Sequence, residues 1–126
     1  MKFSVDKQEK YTLLTLEEEK LDSTLSPELK SEFVNLQTQG TPSLILNLAA
    51  TKYADSSGLS ALLTGNRTFS ENGSFVLSGV TPFVEKLLTI SQLTSVFDIV
   101  PTNEEAVDLV FMNEIERGLQ DGDSEG

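Results

Sequence analysis

The tetrapeptide Asp55-Ser56-Ser57-Gly58 places a carboxylate, two hydroxyls and a glycine where a helical pattern begins. The first turn of a helix leaves backbone N–H groups unpaired and carries a partial positive charge, so it favours an anion. A hydroxyl in this position has two ordinary uses. It caps the helix, or it accepts a phosphoryl group.

The structural interpretation of the turn is a helix cap. Asp55, Ser56 or Ser57 would then accept a hydrogen bond from a backbone N–H two or three residues further on. The functional interpretation is a phosphorylated serine, whose added charge of about −1.5 to −2 would alter the surface that a partner meets. The residues leave both interpretations open, and one side chain could serve both in different states.

The composition argues against catalysis by this chain. It contains no His and no Cys, which excludes Ser-His-Asp and Cys-His nucleophiles as well as zinc sites built on imidazole or thiolate. Neither Lys52 nor Arg67 lies in a motif that would make it a general base. The acidic run Glu17-Glu18-Glu19 lacks the glycine turn and the spacing of a calcium loop. We therefore expect no enzyme, no cofactor and no bound metal.

The charge balance indicates what the chain does not bind. Nine Lys and Arg against 20 Asp and Glu give a formal net charge of −11, which phosphate backbones and anionic lipids repel. We expect no nucleic acid and no membrane among its partners. The first residues lack the apolar stretch of a secretory signal, and no window approaches a membrane span, so we predict a cytoplasmic protein.

The elements that would position the tetrapeptide are a buried strand and a helix. Residues 43–48 form a nearly continuous apolar run of strand length, as in a central strand covered on both faces. After Gly58, apolar side chains recur at helical spacing until Asn72-Gly73. Sites in open α/β sheets gather at the carboxyl edge of the strands, which is where this turn would lie.

The rest of the chain alternates strands and helices. Other strands are predicted at residues 3–6, 11–16, 74–78 and 96–100, and other helices begin at Ser26-Pro27, Thr81-Pro82 and the capping box that starts at Thr102. This order predicts a single α/β domain with a mostly parallel sheet of about five strands, an antiparallel N-terminal element and about four helices. Gly118 should end the last helix, so the domain spans residues 1–118, and residues 119–126 should form a disordered acidic tail.

Five segments have a familiar order and spacing: Leu44-Ile45-Leu46-Asn47-Leu48, Asp55-Ser56-Ser57-Gly58-Leu59, Leu77-Ser78-Gly79-Val80-Thr81-Pro82, Leu93-Thr94-Ser95-Val96-Phe97-Asp98-Ile99 and Thr102-Asn103-Glu104-Glu105-Ala106. Together they resemble the STAS domain of bacterial anti-sigma factor antagonists over residues 1–118. Leu21-Asp22 is similar to the family's G-x-[LV]-D segment, although Glu19 and Lys20 replace its glycine-led entry.

The resemblance implies a partner switch. The unphosphorylated domain would bind an anti-sigma factor that is itself a serine kinase of the GHKL type, and so release a sigma factor. The kinase would phosphorylate Ser56, and a PP2C-type phosphatase would reverse the modification. The resemblance places partner binding at Asp22, Asp55, Ser56, Ser57 and Gly58, and any Mg-ATP would belong to the kinase.

Two other interpretations stay open. A STAS adapter subunit of a transport or stress-sensing complex would use the same surface without phosphorylation. A small molecule could also bind in a pocket near Tyr53 and Ser56, although only the implied fold supports this. The surface-based interpretations require Ser56 to lie exposed at a helix N-terminus beside the end of the central strand.

Overall fold

The computed structural model describes residues 1–125, with side-chain surroundings through residue 119. Its strands are β1 (Phe3–Lys7), β2 (Thr12–Leu16), β3 (Lys20–Leu21), β4 (Leu44–Asn47), β5 (Tyr53–Ala54), β6 (Phe75–Ser78) and β7 (Asp98–Val100). Its helices are α1 (Ser26–Thr38), α2 (Ser56–Ser70), α3 (Pro82–Ile90) and α4 (Asn103–Glu125).

Five strands form one sheet in the order β1-β2-β4-β6-β7. β1 and β2 are antiparallel, whereas β2, β4, β6 and β7 run parallel to one another. The parallel pairs require crossover connections, which contain α1, α2 and α3 in turn. The predicted α/β fold, with a mostly parallel five-stranded sheet, an antiparallel N-terminal element and four helices, is confirmed.

The central strand β4 is covered on both faces, which explains its continuous apolar sequence. Leu44 and Leu46 pack in a core cluster with side chains of α1, α2 and α3. Ile45 points to the other face and packs in a second cluster with residues of β6 and α4. Three helices therefore cover one face of the sheet, and α4 covers the other.

A second, two-stranded sheet was not predicted. In it β3 and β5 pair in parallel, with Lys20 opposite Tyr53 and Leu21 opposite Ala54. Each strand has only two residues, too few to show an alternating pattern, and β3 directly follows a charged run. This small sheet matters because each of its strands leads into a candidate site residue.

The predicted end of the last helix at Gly118 is wrong. α4 continues through this glycine to Glu125. The disordered acidic tail expected at residues 119–126 stays a prediction. A glycine ends a helix when it adopts the left-handed conformation, and Gly118 does not. The proposed domain boundary at residue 118 stays a prediction, and Gly126 lies outside the described residues. Within residues 1–125, no helix has both the length and the apolar composition needed to cross a membrane.

Candidate functional site

The small sheet brings the two predicted acidic site residues to the same edge. Asp22 follows β3 and Asp55 follows β5, and because these strands run parallel in register, their next residues leave the sheet side by side. The Asp55 N–H lies 3.4 Å from the Leu21 carbonyl oxygen, which continues the pairing by one more residue. Asp22 and Asp55 are thus brought together, which one interface containing both residues would need.

Asp55 is the residue that caps α2. Its Oδ1 accepts hydrogen bonds from the N–H groups of Ser57 at 3.0 Å and Gly58 at 3.1 Å. The same oxygen accepts a hydrogen bond from the Ser57 hydroxyl. The Ser57 hydroxyl and then the Gly58 amide lower the pKa of Asp55, because they stabilise its charged form. The cap interpretation of the turn is therefore correct, with the carboxylate rather than Ser56 in this role.

Ser56 is the first residue of α2 and is exposed. Among the hydrogen bonds of the described residues, none involves its hydroxyl. The cap has been supplied by Asp55, so the Ser56 side chain has no structural task at the helix start. Its hydroxyl is free for a reaction at the surface.

Ser57 differs from its neighbour in being tied into the structure. Its hydroxyl donates to Asp55, and its Oγ lies 3.3 Å from the Oγ of Ser26 in α1. Ser26 is 2% exposed, and its hydroxyl donates to the Asp22 carbonyl oxygen at 2.7 Å. These bonds link the starts of α1 and α2, so the second serine holds the site together.

Gly58 allows α2 to approach the small sheet. A Cβ at this position would lie 2.4 Å from the backbone carbonyl oxygen of Leu21 and 3.1 Å from the Leu21 side chain. No residue with a side chain fits without a shift of β3 or α2. Packing of α2 against β3 therefore explains why this position of the tetrapeptide is a glycine. The part of Gly58 in partner binding stays a prediction.

Asp22 forms a local turn rather than a cap. Its Oδ1 accepts hydrogen bonds from the Thr24 N–H at 3.0 Å and from the Thr24 hydroxyl at 2.6 Å. The Thr24 hydroxyl is the largest cause of its lowered pKa, while the charge of Asp55 acts in the opposite direction. The two carboxylates are thus close enough to influence each other, while the charge of Lys20 favours the ionised form of Asp22.

An exposed aromatic pair lies beside the turn, and the sequence analysis missed half of it. Tyr53 of β5 stacks on Phe83 of α3 with ring centroids 5.4 Å apart, and the two residues are 41% and 49% exposed. Phe83 follows the predicted helix start at Thr81-Pro82, and nothing in the sequence singles it out as a surface residue. Pairing of β5 with β3 sets the position of Tyr53, and no local pattern indicates its partner.

The order of these elements and the position of the turn agree with a known family. A family model described as STAS domain matches residues 2–106. The chain belongs to the STAS domain family. The match includes every candidate site residue from Asp22 to Gly58 and ends near the start of α4.

Solved structures with the same fold include several STAS proteins. An anti-sigma-factor antagonist (STAS) domain protein from Planctomyces limnophilus has a TM-score of 0.77 and 20% identity, covering 86% of this chain and 97% of that one. The anti-sigma factor antagonist SpoIIAA in its unphosphorylated form has a TM-score of 0.72 and 23% identity, with 86% and 96% covered. The phosphorylated form of SpoIIAA from Bacillus has a TM-score of 0.66 at 23% identity, covering 86% of this chain and 99% of that one.

The fold also occurs in a protein of another kind. A sulfate transporter family protein from Wolinella succinogenes has a TM-score of 0.68 and 14% identity, covering 79% of this chain and 84% of that one. All four identities are below 25%, so these likenesses show the fold alone. The STAS fold by itself does not choose between a sigma-factor switch and an adapter.

Proposed function

We propose that this STAS domain is an anti-sigma factor antagonist that phosphorylation of Ser56 switches off. In its unphosphorylated form it binds an anti-sigma factor that is a GHKL-type serine kinase, and so frees a sigma factor in the cytoplasm. A PP2C-type phosphatase restores the binding form. The chain is ligand and substrate in this scheme, and the kinase supplies the chemistry together with Mg-ATP.

The observation that carries the proposal is the contrast between the two serines. The Ser56 hydroxyl is exposed and unbonded within the described residues, whereas the Ser57 hydroxyl is held by Asp55 and lies against Ser26. A kinase needs a hydroxyl that can enter its active site without breaking the fold. Of the two hydroxyls in the tetrapeptide, only that of Ser56 meets this requirement.

The electrostatics of the turn would make one phosphate effective. The group would add about −1.5 to −2 charges next to the Asp55 carboxylate and near that of Asp22. Charge added at a buried contact of a complex costs about 2 to 5 kcal/mol, which weakens binding roughly 30-fold to several thousandfold. The N–H groups at the start of α2 tolerate the phosphate locally, so the domain need not refold.

The similarity to SpoIIAA supports the same mechanism. That protein is an anti-sigma factor antagonist and has been solved in an unphosphorylated and a phosphorylated form. The two forms share this fold, in line with a switch that changes a surface. Asp22, Asp55, Ser56, Ser57 and Gly58 are the residues that we expect at the partner interface.

The test is incubation of the full chain with Mg-ATP and a candidate GHKL-type serine kinase from the same organism, followed by intact-mass and peptide mass spectrometry. We expect one phosphate on Ser56, no incorporation into Ser56→Ala, and incorporation into the matched variant Ser57→Thr, which keeps the hydroxyl that Asp55 binds. Ser56→Asp should bind the kinase at least 30-fold more weakly than Ser56→Ala. Modification only at other residues, or equal binding of the two variants, would contradict the proposal.

The second candidate function is a phosphorylation-independent adapter in a transport or stress-sensing complex. The observation in its favour is the shared fold with the sulfate transporter family protein from Wolinella succinogenes. Affinity capture with the full chain distinguishes the two functions. Recovery of a GHKL-type kinase that Ser56→Asp fails to capture supports the switch, and recovery of a transport protein by both forms supports the adapter.

A further inference from the structure

The outer face of α4 carries an apolar stripe that the proposed switch does not use. Phe111, Met112, Ile115 and Leu119 are 41%, 57%, 63% and 64% exposed. Their spacing along the helix places them on one side of it, one above the other. They lie beyond residues 2–106, which the family model matches. Contiguous exposed apolar side chains mark interaction sites.

The contacts of α4 fix where the stripe lies. Near its end, Glu114 pairs with Lys10 at 3.1 Å, and Arg117 donates to the Gly73 carbonyl oxygen at 2.9 Å. Lys10 precedes β2 and Gly73 precedes β6, so this part of α4 lies at the amino ends of the parallel strands. Ser56 follows β5 beyond the carboxyl end of β4, and its helix packs on the other face of the sheet. The stripe and the switch are thus on different faces and at different edges.

The charges around the stripe are negative. Glu104 and Asp108 precede it on the same side of α4, Glu116 flanks it, and all three are exposed. No salt bridge between described residues involves these three carboxylates. The neighbouring cations are already engaged, since Lys10 pairs with Glu114 and Arg117 binds a backbone carbonyl. The surface offers apolar contacts next to uncompensated negative charge.

We propose that this stripe docks a basic amphipathic helix of a partner protein. Apolar side chains at a spacing of three and four residues fit between those of a second helix, and Lys or Arg beside its apolar face would meet Glu104, Asp108 and Glu116. A second copy of this chain brings the same acidic face and a further charge of −11. An anionic lipid surface is repelled for the same reason. Charge complementarity therefore selects a cationic helix.

The experiment uses the full chain and a fluorescein-labelled 18-residue synthetic helix with Leu on one face and Lys on the other. Binding is followed by fluorescence anisotropy. The decisive pair of variants is Ile115→Ser on the stripe and Ile90→Ser at the end of α3, because these isoleucines are similarly exposed at 63% and 68%. We expect Ile115→Ser to weaken binding about tenfold or more and Ile90→Ser to change it less than twofold.

Two further measurements test the two parts of the proposal. A matched peptide with Glu in place of Lys should bind at least tenfold more weakly, which tests the need for positive charge. Met112→Ser should reproduce the loss seen with Ile115→Ser, which separates the stripe from general attraction between a cation and an acidic protein. Circular dichroism verifies that each variant is folded.

Equal losses in Ile115→Ser and Ile90→Ser would overturn the proposal. A dimer in sedimentation equilibrium that Ile115→Ser dissociates would assign the stripe to a second copy. Binding to vesicles of phosphatidylglycerol and phosphatidylcholine that Ile115→Ser abolishes would assign it to a membrane.

Discussion

Gly58 and Gly118 both lie inside helices, yet replacement by alanine should change the stability of the domain in opposite directions. A Cβ at Gly118 would have no heavy atom within 4 Å. A Cβ at Gly58 would lie 2.4 Å from the carbonyl oxygen of Leu21. That oxygen belongs to the backbone of β3, so it cannot move aside as the end of a flexible side chain would.

The magnitudes follow from two effects of the added methyl group. Alanine is favoured over glycine in a helix interior by about 1 kcal/mol, mainly through the entropy of the unfolded chain. Gly118→Ala should therefore raise the free energy of unfolding by about 0.5 to 1 kcal/mol. At Gly58 the same gain is opposed by an overpacking cost of about 1 to 3 kcal/mol. With a backbone atom in the way we expect the upper end of this cost, and a net loss of about 1 to 2 kcal/mol.

Urea unfolding followed by circular dichroism measures both variants against the parent chain. Each kcal/mol should move the midpoint of thermal unfolding by about 3 to 5 °C in a domain of this size. Hydrogen exchange gives a local readout, since Gly58→Ala should increase exchange in β5, where pairing with β3 protects the backbone amides. If Gly58→Ala were as stable as Gly118→Ala, the close approach of α2 to β3 would be refuted.

Three further predictions concern the edge that holds Ser56. The pKa values of Asp22 and Asp55 are lowered in the folded state. Their contribution to the stability of the fold is therefore complete above the ordinary value of 3.8 and is lost as the pH falls through the lower folded values. Acid unfolding of Asp55→Asn should accordingly show a weaker pH dependence than that of the parent chain below pH 4. Ser57→Ala should lower the midpoint of thermal unfolding while Ser56→Ala leaves it unchanged, and equal midpoints would contradict the different roles of the two hydroxyls. Phe83→Ala should weaken binding of the proposed anti-sigma kinase at least tenfold in calorimetry, because exposed aromatic pairs are frequent centres of interfaces, and undiminished binding would place the interface elsewhere.

The main sheet could be predicted because its determinants are local. The apolar run of β4 indicates a strand buried on both faces, and Pro82 and Asp55 mark the starts of their helices within a few residues. The predictions from these local signals are correct because tertiary packing favours the same secondary structure as the local sequence does. The exposed position of Ser56 at the start of α2 was predictable for the same reason.

The parts of the site that were missed depend on contacts between distant residues. The helix start predicted at Ser26-Pro27 agrees with α1, but Ser26 is the first helical residue rather than the cap, and packing of α1 on α2 buries it against Ser57. Tyr53 contacts Phe83 because β5 pairs with β3, and these two-residue strands are too short to show an alternating apolar pattern in the sequence. α4 passes Gly118 because its penalty of about 1 kcal/mol as a helical glycine is too small to end a helix alone. Such features depend on tertiary structure, so they cannot be predicted from the sequence of any single segment.

The two proposed interaction surfaces lie at a distance from each other on this domain. The small β3–β5 sheet holds the Ser56 turn, and only α2 of the described helices begins at that turn. The position of the stripe depends instead on packing of α4, through Ala106 and Val110, against Ile45 and Val76 of the sheet. Under the two proposals, a phosphate on Ser56 would change charge without disturbing that packing, so a partner on α4 would stay bound while the kinase leaves. One small domain would thereby remain anchored in an assembly while its switch turns on and off.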